Sequence, residues 1–193
     1  APWLSHPDTP PLTFFEACTV LAFELFRDAR CEVIVLEVGL GGRLDATNVV
    51  TPLVSVITRI AMDHADRLGP TIAHIAREKA GIIKPGVPVV LGSRDSAVLR
   101  VVRTRSAQFR APLQVIDRDF TCPTDLPRVL AGAHQGDNLA CAVAALEVVR
   151  EALPFTHEDL VRGLKKLRWP GRLELAAGAP DVLFDAAHNP DAC

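Results

Sequence analysis

Apolar residues along this chain recur in two rhythms. Short continuous runs, rich in β-branched residues, occupy positions 33–36, 53–58 and 113–116; another follows the Pro-Gly turn within 85–92, and a last one spans 182–184. Runs of this kind read as strands buried on both faces of a parallel sheet. Between them the apolar positions recur at helical spacing. Phe14, Cys18, Leu21 and Leu25 form the expected core face of a helix that a T-x-x-E capping box at Thr13 and Glu16 opens and that runs through about Arg27. Ile72, Ile75 and Ala76 give the inner face of a helix over 71–80, stopped by Gly81, and Ala140, Val143, Ala144, Ala145 and Val148 that of a helix opened by 133–138. A helix over 95–110 carries arginines at 100, 103, 105 and 110, read as a solvated face, and Thr156 caps a further helix ending near Leu167. Strands alternating with helices predict an α/β fold, a mostly parallel sheet flanked by helices.

One stretch, 33–50, concentrates polar chemistry. Its apolar run ends on Glu37 and passes directly into a loop with Gly39, Gly41 and Gly42, followed by Arg43, Asp45 and Asn48. Ligands of α/β enzymes lie beyond the carboxyl ends of strands, a carboxylate there suits a hard cation, and glycines let backbone approach a ligand closely. A surface turn with Asp45 as a helix cap explains the same residues without a ligand. The second run leads into Asp63 and His64; a histidine after a strand is commonly a hydrogen-bonded structural residue, but the adjacent Asp63 widens its possibilities. Arg77, Glu78 and Lys79 form a charged helix end. In 134–138 either Asp137 or Asn138 is a candidate N-cap, and a helix N-terminus also suits a phosphate ligand. Trp169-Pro170-Gly171-Arg172 is a turn or linker, with Arg172 an ordinary turn arginine on this ground alone.

Composition narrows the class. At 193 residues, 49% hydrophobic and 23% charged, the chain has the length for one good core or one domain and part of another. A net charge of -2 without a basic cluster argues against a nucleic-acid surface. No run approaches membrane-spanning length, and the N-terminal segment is not a signal peptide. The five cysteines are odd in number and lack C-x-x-C spacing, so neither zinc nor a disulfide framework is expected, and reduced thiols in the cytoplasm are. The start in a Pro-rich segment and the stop just after a strand-like run make a fragment the expectation.

The string E-V-G-L-G-G-R-L-D-A-T-N from Glu37 to Asn48, together with D-H-x-x-x-L-G at 63–69, R-E-K-A-G-I at 77–82, H-Q-x-x-N at 134–138, P-G-R at 170–172 and D-x-A-H-N-P at 185–190, resembles the folylpolyglutamate synthase and dihydrofolate synthase family, a branch of the Mur-ligase-like ATP-dependent ligases. The resemblance implies a central ATP-binding domain over 1–168, an interdomain linker over 169–180 and the start of a Rossmann-like C-terminal domain over 181–193. It implies Glu37, His64 and a carbamylated Lys79 as ligands of magnesium, two ions in all, and Asn138, Arg172 and Asp185 as ATP contacts, with His134 and Gln135 in support. It further implies Thr13, Phe15, Arg43 and Asp45 beside the pterin, and His188 placing the incoming glutamate; Lys79 and His188 are thereby the catalytic candidates. Phe15 by itself reads as a core aromatic, and His64 as a metal ligand rests on the resemblance. The implied substrates are ATP, L-glutamate and a folate or dihydropteroate; the implied protein is a monomer. The family's G-K-[ST] phosphate loop is absent from this sequence, so the chain alone is expected to be inactive. Two alternatives remain open: another Mur-type amino-acid ligase, and a non-catalytic module that keeps a pterin- or nucleotide-shaped cleft.

Overall fold

The computed structural model describes residues 11–187. In chain order it contains α1 (Phe14–Asp28), β1 (Ser55–Ile57), α2 (Ala65–Leu68), α3 (Ile72–Lys79), β2 (Val89–Leu91), α4 (Ser96–Gln108), β3 (Leu113–Val115), α5 (His134–Val148), α6 (His157–Lys166), β4 (Glu174–Ala176) and β5 (Val182–Phe184), with 3₁₀ turns at Ala46–Val49 and Ala80–Ile82. The sheet that organises the molecule has the order β1-β2-β3. All its pairings are parallel, with Ser55 opposite Val89 and Val89 opposite Leu113. Successive side chains of a strand point to opposite faces, and β2 uses both. Val89 and Leu91 pack with Ile75 and Ala76 of α3 and with Val98 and Val102 of α4. Val90 faces the other way, against Cys141 and Ala144 of α5. Helices therefore cover both faces, the condition under which a parallel sheet with continuous apolar strands is stable. Gly92, just past β2, admits α5: an ideal Cβ at this position would lie 2.5 Å from Cys141 Sγ.

The caps expected at Thr13 and Thr156 form, and Thr71 and Asp95 cap two further helices. Thr13 and Glu16 make the capping box of α1, Thr71 caps α3, Asp95 accepts from the amides of Ala97 and Val98 at the start of α4, and Thr156 with Asp159 boxes α6. Each satisfies N–H groups that a helix start leaves without intrahelical partners. The arginine-rich face of α4 is largely exposed, and Arg105 lies over the Phe109 ring at 3.9 Å.

Two expectations about burial are corrected. Residues 33–36 form no strand and pair with none among the described residues, and Val35 is 91% exposed. A strand exists only through its ladder; the apolar pattern states what the segment can bury, not which partner does so. On α1 the face expected in the core is open: Phe14 is 86% exposed, Leu21 and Leu25 are also exposed, and Thr19 is the buried residue of that helix. Within the stretch read as a linker, Glu174–Ala176 forms β4, which pairs antiparallel with β5 as a hairpin separate from the parallel sheet.

Ser106, on the inner side of α4, is 3% exposed and its Oγ has no hydrogen-bond partner. A buried hydroxyl without a partner costs free energy that a methyl group does not. Ser106→Ala is expected to raise stability by about 1 kcal/mol, or ~2–4 °C in Tm for a domain of this size. Thermal unfolding checks this, and a lowered Tm would refute it.

A candidate active-site cleft at the glycine loop

The loop after Glu37 is tied by one side chain. Asp45 precedes the Ala46–Val49 turn and accepts through Oδ1 from the Thr47 amide at 2.9 Å and the Thr47 hydroxyl at 2.6 Å. Through Oδ2 it accepts from the amides of Gly39 at 2.9 Å and Leu40 at 3.0 Å. Burial alone would raise the Asp45 carboxyl, but the bonds from Thr47, Leu40 and Gly39 outweigh it and hold the group below its ordinary value. The cap considered for Asp45 from the sequence is thus real, and it also closes the loop.

The same loop is seamed to the end of α3. Gly42 has φ +147°, and an ideal Cβ there would stand 3.0 Å from the Glu78 carbonyl oxygen and 2.9 Å from an Ile82 methyl. An ideal Cβ on Gly81 would lie 2.4 Å from Arg43 Cα, so glycine on both sides lets the two backbones touch. The Arg43 amide donates to the Glu78 carbonyl at 2.9 Å. The Arg43 guanidinium reaches the Glu78 carboxylate, with Nε 3.2 Å from each oxygen and Nη2 3.1 Å from Oε1. Asn48 Nδ2 donates to the carbonyls of Arg43 and Gly81, and Lys84 Nζ donates to the Asn48 carbonyl. On the other side of the loop lies α1: an ideal Cβ at Gly39 would be 2.7 Å from Phe15 Cζ. Phe15 is therefore a half-exposed ring against the glycine loop, not a core aromatic. Thr13 beside it is occupied in the capping box, its hydroxyl donating to Glu16 at 2.8 Å.

A cleft of about 290 Å³ opens against this loop, lined among others by Gly39, Arg59, Asp63, His64 and Lys79. A larger depression, about 400 Å³, runs along α6, but it is lined by that helix alone and meets none of the candidate residues. His64 sits in the left-handed region at φ 49°, turned there by the start of α2, with its amide donating to Asp63 Oδ1 at 2.8 Å. Its ring Nε2 is 3.7 Å from Asp63 Oδ2. Lys79 is half-buried; desolvation lowers the pKa of its amine, and the Asp63 charge partly opposes this. Glu37 is exposed and is not among the residues lining the cleft. No group of three or more His, Cys, Asp or Glu side chains converges among the described residues. Magnesium commonly keeps waters and takes only one or two protein ligands beside phosphate oxygens. The donor set here fits such a loosely held ion, and does not fit a cage of protein ligands.

At the first turn of α5, Asn138 Nδ2 donates to Gln135 Oε1 at 3.0 Å, and Gln135 Nε2 is 3.1 Å from His134 Nε2. The helix starts at His134 with no side-chain cap, so Asp137 in its first turn and Asn138 just after lie inside the helix and neither is its cap. Asn138 is exposed and Asp137 is held by Arg94. The hairpin comes close to this turn. Asp185 accepts from the amides of Ala187 at 2.6 Å and Leu173 at 2.9 Å. Those bonds, and then the charges of Arg172 and His134, hold its carboxyl below the ordinary range. Arg172 and Asp185 thereby lie within electrostatic reach of His134, the first residue of α5. Arg59 relates this end to the cleft: it lines the cleft, and its charge helps to lower the pKa of Asp137, after the larger effect of Arg94. His188 lies outside the described residues.

In the sequence Glu78, which seams the loop, reads only as part of a charged helix end, and Arg94, which holds the first turn of α5, is not singled out. Their partners are 35, 23 and 43 residues away, so no local spacing marks them.

Asp45→Asn removes acceptor capacity from the knot, and the expected loss of stability is about 1–2 kcal/mol, discounted for partial exposure. Because the folded carboxyl titrates below its unfolded value of about 3.9, this stabilisation is complete above that pH and is lost as pH falls through the lowered value. Thermal melts of both proteins should therefore differ by a constant amount near neutrality and converge in acid. A gap that persists at the lowest pH would show that the carboxylate charge is not what holds the loop.

The family profile described as the Mur ligase middle domain matches residues 9–146. The folylpolyglutamate synthase of Lacticaseibacillus casei is 38% identical over 202 residues, covering 93% of this chain and 47% of the relative. The dihydrofolate synthase/folylpolyglutamate synthase of Escherichia coli is 38% identical over 194 residues, covering 94% and 45%. Among solved structures, an FPGS–AMPPCP–folate complex superposes with a TM-score of 0.91 at 38% identity, covering 94% of this chain and 50% of that one. E. coli FolC in complex with DHPP and ADP gives 0.84 at 36% identity, covering 94% and 46%. The chain spans about half the length of these relatives. With the parallel sheet, the glycine loop and the cleft in the places these matches cover, the chain belongs to the Mur ligase middle-domain family.

Proposed function

We propose that the protein carrying this chain is an ATP-dependent ligase that joins L-glutamate to the carboxylate of a folate or a dihydropteroate. The observation that carries this reading is the meeting of the glycine loop, His64 and a desolvated Lys79 on one cleft, which Arg59 relates to the first turn of α5. The relatives' names and the ligands in their complexes supply the substrate class. The domain limits 1–168, 169–180 and 181–193 are part of the same proposal, as are a monomeric state, the absence of a nucleic-acid partner and a cytoplasmic location. Among the described residues no helix is long and apolar enough to cross a membrane.

In this reaction a carboxylate oxygen of the acceptor attacks the γ-phosphorus and ADP leaves. The amine of glutamate then attacks the acyl carbon, phosphate leaves, and the amine gives up a proton. Such phosphoryl transfer depends on alignment and charge neutralisation more than on covalent help. Asn138, Arg172 and Asp185 hold the nucleotide at the α5 end. Phe15 and Thr13, with the loop that Arg43 and Asp45 keep closed, bound the pterin side. His188 places the incoming glutamate. Glu37, His64 and carbamylated Lys79 are the proposed magnesium ligands, and the ions would neutralise charge on the transferring phosphoryl group. Lys79 is suited to carbamylation because its lowered pKa favours the neutral amine, the form that adds to carbon dioxide with loss of a proton.

The test is glutamate-dependent ADP release by the complete gene product, with dihydropteroate and tetrahydrofolate offered separately. Turnover with either acceptor is expected. A folded protein that binds nucleotide but releases no ADP with any acceptor would instead be a binding module. Lys79→Arg is expected to reduce turnover by about a hundredfold or more, the scale on which loss of an electrostatic stabiliser is felt. It should also abolish the carbamate carbon resonance that ¹³C-bicarbonate gives in the wild type; a resonance retained in the variant would place the modification elsewhere.

A further inference from the structure

One charged assembly lies outside the residues that line the cleft. Arg94 lies just past β2, Asp117 just past β3, and Asp137 in the first turn of α5. The Arg94 guanidinium donates to both carboxylates. Nη1 is 2.6 Å from Asp137 Oδ2 and Nη2 is 3.1 Å from Asp137 Oδ1. Nη2 is also 3.2 Å from Asp117 Oδ1, and Nε donates to Asp117 Oδ2. The two carboxylates hold the guanidinium pKa above its ordinary value, and Arg94 depresses that of Asp137.

A single surface ion pair would deserve little weight, since exposed pairs contribute little to stability. This assembly differs in its geometry. The planar fork of arginine fixes direction as well as distance when it is engaged on two sides. Here it joins the ends of two neighbouring strands to the start of a helix that packs on the opposite face from α4. Asp117 occupies the left-handed region at φ 62°, so its backbone also presents the carboxylate at a set angle. The residue after Asp137 is Asn138, exposed and hydrogen-bonded to Gln135. Fixing Asp137 fixes the turn from which Asn138 projects. It also compensates two negative charges beside a site meant for a polyanion.

We propose that Arg94 is a positioning residue for the nucleotide: through Asp137 it sets the first turn of α5, and with it Asn138, against the ends of β2 and β3. This rests on the reading that Asn138 contacts ATP. Arg94 itself touches no substrate in this account.

The experiment uses the complete gene product and AMPPCP as the nucleotide probe, measured by calorimetry beside steady-state kinetics. Arg94→Gln is expected to weaken AMPPCP binding about tenfold or more, the effect of losing charge-assisted hydrogen bonds. KM for ATP should rise in parallel while KM for glutamate stays within about twofold of the wild type. Arg94→Lys, which keeps the charge but not the fork, should recover only part of the loss. Should Arg94→Gln fail to fold, Arg94→Lys and Asp137→Asn carry the same comparison. A variant with a lowered Tm but unchanged AMPPCP affinity would overturn the proposal and leave Arg94 a structural brace. A uniform rise in every KM would overturn it too. Wild-type protein that does not bind AMPPCP would defeat the nucleotide reading itself, an outcome distinct from either of the others.

Discussion

The backbone contact between the glycine loop and the end of α3 is the constraint on which the rest of the site depends. It is made possible by the missing side chains of Gly42 and Gly81, and held by Arg43 and Glu78. The ion pair is partly exposed, and its energetic contribution is modest. Its importance is geometric. Lys79 follows Glu78 directly, so whatever sets the loop against Glu78 also sets the height of Lys79 over the cleft. The hydrophobic anchoring of α3 through Ile75 and Ala76 then passes that position to the sheet.

From the sheet the arrangement follows the general logic of open α/β folds, in which ligands meet the loops beyond the carboxyl ends of the strands. Arg59, Asp63 and His64 follow β1, Arg94 follows β2, and Asp117 follows β3. Because β2 buries side chains on both faces, it holds α3 and α4 on one side and α5 on the other with little freedom to slide. The chemistry is carried by loops, and the loops borrow their precision from a strand only three residues long.

What could be read from the sequence and what could not divide along the range of the interactions. Caps at Thr13, Thr71, Asp95 and Thr156 depend on residues within one helical turn, and each appears where the residue types place it. The strands β1, β2 and β3 were legible as apolar runs because both of their faces are covered. The run at 33–36 and the apolar stripe of α1 carry the same signal without the same outcome, since periodicity records the capacity to be buried and not the partner. At the site, the glycine loop, His64 and Lys79 were legible through their motifs. The roles of Glu78 and Arg94 were not, because each is defined by a residue on another element. Asn138 does not cap α5, because that helix begins at His134.

The contact between Gly92 and Cys141 constrains the order in which this chain can change. An ideal Cβ at position 92 would fall 2.5 Å from the Cys141 sulfur, so alanine at position 92 requires that sulfur to move while cysteine remains at 141. The reverse order is open: trimming Cys141 first costs a small cavity of the kind a core tolerates. After that, position 92 becomes free to gain a side chain. Two sites 49 positions apart in the sequence are thus coupled, and a side chain at 92 is accommodated more readily once position 141 has been trimmed.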